Sequence, residues 1–195
     1  MLSDLPLAEA TELLKQNVSR KRFKHSLGVA NTARELSERH GEDPAHCYFA
    51  GLCHDIAREW TESSLIETAS RDGNPLSVLE LQRPMLLHGR AAAVILSERF
   101  SFRTHSVLDA IRHHTLGTPG IGGIGKILYV ADYIEPGRRA ISDRFRTQVI
   151  RYSLNEAVVA VIDHTIAHGR TIAKLTQAMY DELRMGYVSS ETSEN

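Results

Sequence analysis

Apolar residues recur at helical spacing along nearly the whole chain, and almost no stretch alternates with the period of two that a half-buried strand requires. Leu7, Ala10, Leu13, Leu14 and Val18 mark a first helix, and Phe23, Leu27, Ala30, Ala33 and Leu36 place a second over Arg20 to His40. Asp43-Pro44, an N-cap acid followed by proline at the first helical position, opens a third. That helix carries YFAGLCHDIA and is expected to end near Trp60. A shorter helix over Glu62 to Ser70 is closed by the turn residues Asp72-Gly73-Asn74-Pro75. Pro84 opens the next, with His88 and the run Ala91 to Leu96, and Thr104 caps another that ends at His113-His114. A glycine-rich loop, LGTPGIGGIGK, leads into a helix over Lys126 to Glu135, which Pro136-Gly137 stops. The last two helices are predicted over Asp143 to Tyr152 and Asn155 to Met185, and the polar tail VSSETSEN is expected to be disordered. No repeat or linker splits the chain, and 195 residues suffice for one core. The expectation is a single all-α domain, a helical bundle over residues 1–187 followed by the tail 188–195.

Several function classes drop out. The longest apolar runs, such as Ala91 to Leu96, fall far short of the roughly 20 residues that span a bilayer. The N-terminus MLSDLPLAEATELLKQ has no basic segment followed by an apolar one, so it does not read as a secretory signal. Cys47 and Cys53, on one helix, are about 9 Å apart along its axis, too far for a disulfide. They are expected as reduced thiols in a cytoplasmic protein. Lys and Arg number 23 against 24 Asp and Glu, and no basic-aromatic stripe is present, so neither nucleic acid nor an anionic membrane is an expected partner.

Against that ordinary background the chain has 10 histidines, the commonest metal ligand and the side chain that titrates near neutrality. Their helical phase separates them. His25 shares a face with Val29, Thr32 and Leu36. His54-Asp55 interrupts an apolar run one turn after Ala50, Gly51 and Leu52. His88 precedes Ala91, Ala92 and Ile95 on one face, and His114 follows Val107 and Ile111 on another. Asp132 lies one turn after Leu128 inside ILYVADYI. An isolated carboxylate in an apolar interior costs several kcal/mol unless it finds cations, hydrogen bonds or a proton. Any one of these histidines could be a hydrogen-bonded core residue, and either aspartate could pair with an arginine. Four imidazoles and two carboxylates on inward faces together satisfy one another best around divalent metal, of the kind that accepts mixed imidazole and carboxylate ligands: Fe, Zn, Ni or Mn. Gly51, Gly89 and Gly125 would let helices approach closely there. His40, His46, His105, His164 and His168 have no such setting and are expected at the surface. His113 stacks on Asp109 and Ala110, which favours His114 as the inward one of the pair, yet His113 is ambiguous because it could still contact a substrate.

The order His25, His54-Asp55, His88, His114, Asp132 resembles that of the HD-domain metal-dependent phosphohydrolases. More narrowly, KHSLGVA, GLCHDIAR, LLHGRAAA, IRHHTLG and above all KILYVADYIEPGR are similar to segments of the bacterial symmetrical diadenosine tetraphosphate hydrolases, over roughly residues 20 to 175. The resemblance implies an all-helical HD fold with the metal site in its core and one or two bound iron ions, with manganese or cobalt as substitutes. It also implies a dinucleoside polyphosphate as substrate and ADP as product, with a homodimer as a further expectation. Residue by residue it assigns His25, His54, Asp55 and Asp132 to the first ion. Asp55 bridges to any second ion, with His88 and His114 ligating it or holding phosphate. The implied reaction is attack of metal-activated water on phosphorus, with Asp55, His88 and His114 in the catalytic roles. Two departures stand out: Arg58 where the family often has lysine, and the doubled His113-His114 before Thr115.

Cations must hold the polyphosphate. Arg138 is the first candidate and Arg58 the second, because a guanidinium fork suits phosphate; Lys24 and Lys126 are weaker. The ligand residues themselves, with Thr115, complete the expected substrate contacts. The loop Gly117 to Gly125 either offers backbone N–H groups to phosphate or is a flexible connection. Arg170 to Leu175 would line the nucleotide pocket, although Ile172 and Leu175 also fit a core. Tyr129 and Tyr133 stack on adenine or simply pack. Two competing functions remain: the same fold and metal acting on another nucleotide, and a non-catalytic nucleotide-binding regulatory module. The intact His and Asp set argues against the module.

Overall fold

A computed structural model describes the backbone of residues 5–191 and the side chains of residues 5–185. Among the described residues there are eleven α-helices and no strand. They are α1 (Leu7–Asn17), α2 (Arg20–His40), α3 (Pro44–Cys53), α4 (Glu62–Ala69), α5 (Val78–Gln82), α6 (His88–Arg99), α7 (His105–His113), α8 (Gly123–Ile134), α9 (Asp143–Arg151), α10 (Leu154–Ala167) and α11 (Lys174–Glu191). The starts are set by local chemistry. The Ser19 hydroxyl accepts from the Arg22 amide at the head of α2, and Asp43 accepts from the amides of Ala45 and His46 at the head of α3. Ser153 and Glu156 form a capping box on α10. Thr104 stands at the N-cap of α7, but its side chain makes no capping bond.

The core is built where α2 packs on α3 and α8, with α7 against α3 and α8 and α6 against α7. Val29, Ala30, Ala33 and Leu36 of α2, Phe49 and Leu52 of α3, and Ile127, Leu128 and Val130 of α8 are fully or almost fully buried. Small residues bring these helices close. A Cβ on Gly51 would lie 2.7 Å from the Ala30 Cα, and one on Gly89 would lie 2.6 Å from the Ile111 carbonyl oxygen. Gly125 differs from the expectation. Its tight neighbour is the Ile121 side chain just before it, while the Ala110 backbone across the helix interface is at an ordinary 3.7 Å.

Several boundaries depart from the sequence reading, and α8 starts at Gly123, inside the glycine-rich stretch expected as a loop. The third helix stops at Cys53 rather than near Trp60, because the His54 ring donates to the Gly51 carbonyl at 2.7 Å. The following amides then bond three residues back, Ile56 to Cys53 and Arg58 to Asp55, so the His-Asp pair sits in a tight turn instead of a helix interior. Pro84–Leu87 is a 3-10 turn, and His88 is the first residue of α6 proper. The helix expected over Asn155 to Met185 is two, separated at Gly169, whose φ of 73° ends α10 in a conformation that the apolar pattern cannot reveal. The last helix runs through Glu191, into the segment expected as a disordered tail; residues 192–195 lie outside the described residues. Cys47 and Cys53 are free and buried, and burial pushes both thiols above their usual range. No helix among the described residues is long and apolar enough to cross a membrane.

Candidate metal centre

The helix interfaces around α2, α3 and α8 bring the inward-facing polar residues together. His25 comes from the first turns of α2, His54 and Asp55 from the turn after α3, His88 from the start of α6, His114 from the end of α7 and Asp132 from α8. His54 is fully buried, and Asp55, His88 and His114 are nearly so. One ligand atom each from His25, His54 and Asp55 lie within 4.8 Å of one another, and so do atoms of Asp55, His88 and His114. Asp55 belongs to both groups, with Oδ2 3.3 Å from His54 Nε2 and Oδ1 3.2 Å from His88 Nε2. Asp132 lies at the edge, its Oδ1 3.0 Å from His25 Nε2 and 3.8 Å from His54 Nε2.

The donor inventory fits a cation. The Nδ1 atoms of His54, His88 and His114 face the carbonyl oxygens of Gly51, Met85 and Ile111, which only accept, so each Nδ1 carries the proton. When these rings are neutral, each Nε2 presents a lone pair. The Nε2 atoms of His88 and His114 nevertheless lie 2.9 Å apart. The Nε2 atoms of His25 and His54 are buried with no hydrogen-bond partner, facing carboxylate oxygens. Lone pairs converging on lone pairs are satisfied by a positive ion, and the backbone bonds behind the rings are those that orient ligating imidazoles.

The protonation states follow from the same contacts. Burial opposes charge on His25, but the Asp132 carboxylate 3.0 Å from Nε2 and the Glu135 carboxylate bonded to Nδ1 outweigh it and raise the imidazole to about 9. Burial also opposes charge on His54, yet Asp55 and Asp132 raise it. At His114 burial, helped by His88 and His54, pushes the imidazole down to about 3. Burial favours neutral Asp55, but His54 and His88 hold its carboxyl well below the usual range. Asp132 is held low against burial by its bond to His25 and by the charges of His54 and Arg138. Asp55, Asp132 and His114 are thus in ligating form, and a metal ion would replace the protons of His25 and His54.

The remaining candidates divide. Thr115 Oγ1 lies 3.4 Å from His88 Nε2 and 3.3 Å from His114 Nε2. The Arg138 guanidinium is committed to Asp132, donating to both its carboxylate and its backbone carbonyl. The arginine pairing weighed for a helical aspartate is therefore real, and it coexists with the cluster. Arg58 is half-buried one turn past Asp55, and its side chain has no hydrogen-bond or ion-pair partner. Lys24 is exposed and Lys126 half-buried, and neither pairs with the cluster. The Tyr133 hydroxyl bonds His164 Nδ1 at 2.9 Å, so Tyr133 packs, and Tyr129 is half-buried against the core. His164 is half-buried under this contact and stacked on His168, and His40 buries its Nε2, so neither is the plain surface residue expected.

A cleft of about 960 Å³ opens beside Thr115, walled by Leu79, Leu86, His113, Leu116 and Lys174 among others. Ala173 and Leu175 also line it, and Leu175 is 40% exposed, so it is not a core residue, whereas Ile172 packs against the core. The glycine-rich loop instead borders a separate cavity of about 340 Å³, and its Gly120 amide donates to Glu182. His113 lines both cavities.

Two residues of the centre escaped the sequence reading. Arg22 Nη1 pairs with Asp55 Oδ2 at 2.9 Å, and Glu135 Oε1 accepts a hydrogen bond from His25 Nδ1 at 3.0 Å. A signal existed for each, since Arg22 lies one turn before His25 and Glu135 one turn after Asp132.

Comparison with known proteins identifies the family. The HD domain family model matches residues 22–168. The symmetrical bis(5'-nucleosyl)-tetraphosphatase of Bacillus subtilis is 31% identical over 92% of this chain and 94% of its own. That of Staphylococcus aureus is 32% identical over 68% of each chain. A crystal structure from Clostridium acetobutylicum, described as a predicted HD superfamily hydrolase involved in NAD metabolism, aligns with a TM-score of 0.83 at 32% identity, covering 93% of this chain and 98% of that one. The chain is thus homologous to symmetrical bis(5'-nucleosyl)-tetraphosphatases, and with the model spanning most of its length, it belongs to the HD-domain family.

Proposed function

We propose that the protein hydrolyses diadenosine tetraphosphate symmetrically into two ADP, using a divalent metal, iron first and manganese or cobalt as substitutes. The observation that carries the reading is the convergence of buried imidazole Nε2 atoms on a shared Asp55, with the Nδ1 atoms of His54, His88 and His114 tied to backbone carbonyls. His25, His54, Asp55 and Asp132 would hold the first ion, and Asp55, His88 and His114 would hold a second where one is bound. When bound, such an ion supplies a nucleophilic water at neutral pH and neutralises phosphoryl oxygens.

The chain's own groups do the rest. Asp55, buried and ionised, fixes the centre between the two ligand groups. Thr115 lines the cleft and lies 3.4 and 3.3 Å from the Nε2 atoms of His88 and His114, and with these two it orients the phosphoryl group under attack. Arg58, which has no other partner, together with Arg22 and Arg138 at the two carboxylates, takes the charge of the polyphosphate chain. The cleft walled by Leu79, Leu86 and Leu116 has the volume and mixed lining of a nucleoside site. Water adds to phosphorus, and the bond to the leaving ADP breaks.

The test is metal analysis of the purified protein and chromatography of the products from diadenosine tetraphosphate. ADP alone supports the reading, whereas ATP with AMP refutes symmetrical cleavage. The Clostridium neighbour, described in terms of NAD metabolism, favours a second reading in which the same chemistry acts on another nucleotide. Turnover of other nucleotides without turnover of diadenosine tetraphosphate selects it.

A further inference from the structure

All four imidazoles of the cluster have Nδ1 engaged, but not by the same means. His54, His88 and His114 stand at helix boundaries and donate to the carbonyl three residues back. His25 lies inside α2, where the carbonyls are committed to the helical ladder. Its Nδ1 instead reaches a carboxylate from another part of the chain, Glu135, at 3.0 Å.

We infer that Glu135 is the positioning residue of the metal centre: by accepting the hydrogen bond from His25 Nδ1–H it fixes the ring so that Nε2 faces Asp55 and Asp132, and its charge strengthens His25 as a ligand. The inference rests on the metal reading above.

The seat of this carboxylate is built. The Glu135 side chain is 5% exposed, and the Gly137 amide donates to Oε2 at 2.6 Å. A Cβ on Gly28 would stand 2.6 Å from Oε2, and one on Gly137 would stand 2.8 and 2.9 Å from Oε2 and Oε1. Gly28 is one turn past His25 on the same helix, so space for the carboxylate is made on both sides by the lack of a side chain. Within HSLG and EPG, therefore, both glycines and the glutamate serve one contact, which closes on the ring of a ligand. Carboxylates behind ligating imidazoles fix their orientation and raise their basicity, and losing one typically costs 10–100-fold in metal affinity.

The test is Mn2+ affinity of chelator-stripped full-length protein, followed by the paramagnetic resonance of free Mn2+ at a temperature well below the melt. The variants are Glu135→Ala, Glu135→Gln and Gly28→Ala. Glu135→Gln keeps shape and an acceptor, while Gly28→Ala displaces the carboxylate from the opposite side without altering it. The expected result is a loss of about 10–100-fold for Glu135→Ala and Gly28→Ala, and a smaller loss for Glu135→Gln, with circular dichroism unchanged. A role confined to packing would lower the melting temperature of the stripped protein and leave the affinity of the folded state alone. If Glu135→Ala fails to fold, Gly28→Ala and Glu135→Gln decide. Affinities within twofold of the unsubstituted protein overturn the positioning role alone. Failure of the unsubstituted protein to bind Mn2+, Fe2+ or Co2+ overturns the metal reading and this inference with it.

Discussion

Gly51→Ala tests whether helix packing sets the geometry of the centre. The added Cβ would lie 2.7 Å from the Ala30 Cα, 2.8 Å from the Ala30 nitrogen and 3.0 Å from the Val29 carbonyl carbon. All three are backbone atoms inside α2, so no side chain can turn aside. Ordinary van der Waals contact begins at 3.4 Å, so α3 must retreat from α2 by somewhat under 1 Å. Overpacking of this kind costs about 1–3 kcal/mol, or about 2–12 °C of melting temperature in a chain of this size. The chemical effect is larger than the stability effect. Gly51 is three residues before His54, and Ala30 is five after His25, so the retreat separates His25 from His54 and Asp55. Metal sites tolerate about 0.2 Å in ligand distance, and a 1 Å misplacement of reacting groups costs about 100-fold in rate. Thermal melts, Mn2+ binding and turnover of diadenosine tetraphosphate give the comparison. Gly122→Ala is the control, because nothing lies within 4 Å of its added Cβ. A Gly51→Ala protein that melts and turns over like Gly122→Ala refutes the claim that this helix contact sets the ligand spacing.

Asp55→Ala should abolish turnover and reduce metal content while far-ultraviolet circular dichroism is retained; full activity would sink the ligand assignment. The His25 imidazole, raised from 6.5 to about 9 in the metal-free protein, stabilises the fold fully below pH 6.5, and that contribution is lost as pH rises through 9. The span corresponds to about 3 kcal/mol. Urea titrations of stripped protein at pH 6.5 and 9 should show this fall, and His25→Gln should flatten it; equal slopes in both proteins contradict the assignment. Arg90, 8% exposed, donates to Asp72, Glu80 and the carbonyls of Asn74 and Pro75, thereby holding one wall of the cleft. Arg90→Met leaves the Asp72 carboxylate, 1% exposed, with only the Asn74 amide and Arg112 at 3.6 Å, and should cost about 1–3 kcal/mol in urea unfolding, together with a raised KM; a loss well under about 1 kcal/mol rules out that anchoring role.

Helical phase made the inward faces legible, because a polar residue at an apolar position must be explained wherever it falls. His25, His88, His114 and Asp132 could be placed in this way, and the structure gathers them with His54 and Asp55. The turn at His54 was not legible, since its cause is a ring hydrogen bond to Gly51 that no propensity encodes. Nor was the break at Gly169, where α10 and α11 are both apolar-periodic and only φ distinguishes a cap from a helical glycine. Glu135 was hidden for a different reason. EPG reads first as a helix stop, which it is, and its second use appears only when α2 and α8 pack and Gly28 comes against the carboxylate. Long-range ion pairs such as Arg22 with Asp55 depend on that packing as well.

The measurement that bears most directly on the central claim is anomalous diffraction at the metal edge from crystals of the protein loaded with iron or manganese. The account predicts a peak about 2.0–2.3 Å from the Nε2 atoms of His25 and His54 and from carboxylate oxygens of Asp55 and Asp132. Any second peak should lie on the far side of Asp55, against His88 and His114. Metal bound elsewhere, with these side chains free of it, would contradict the account.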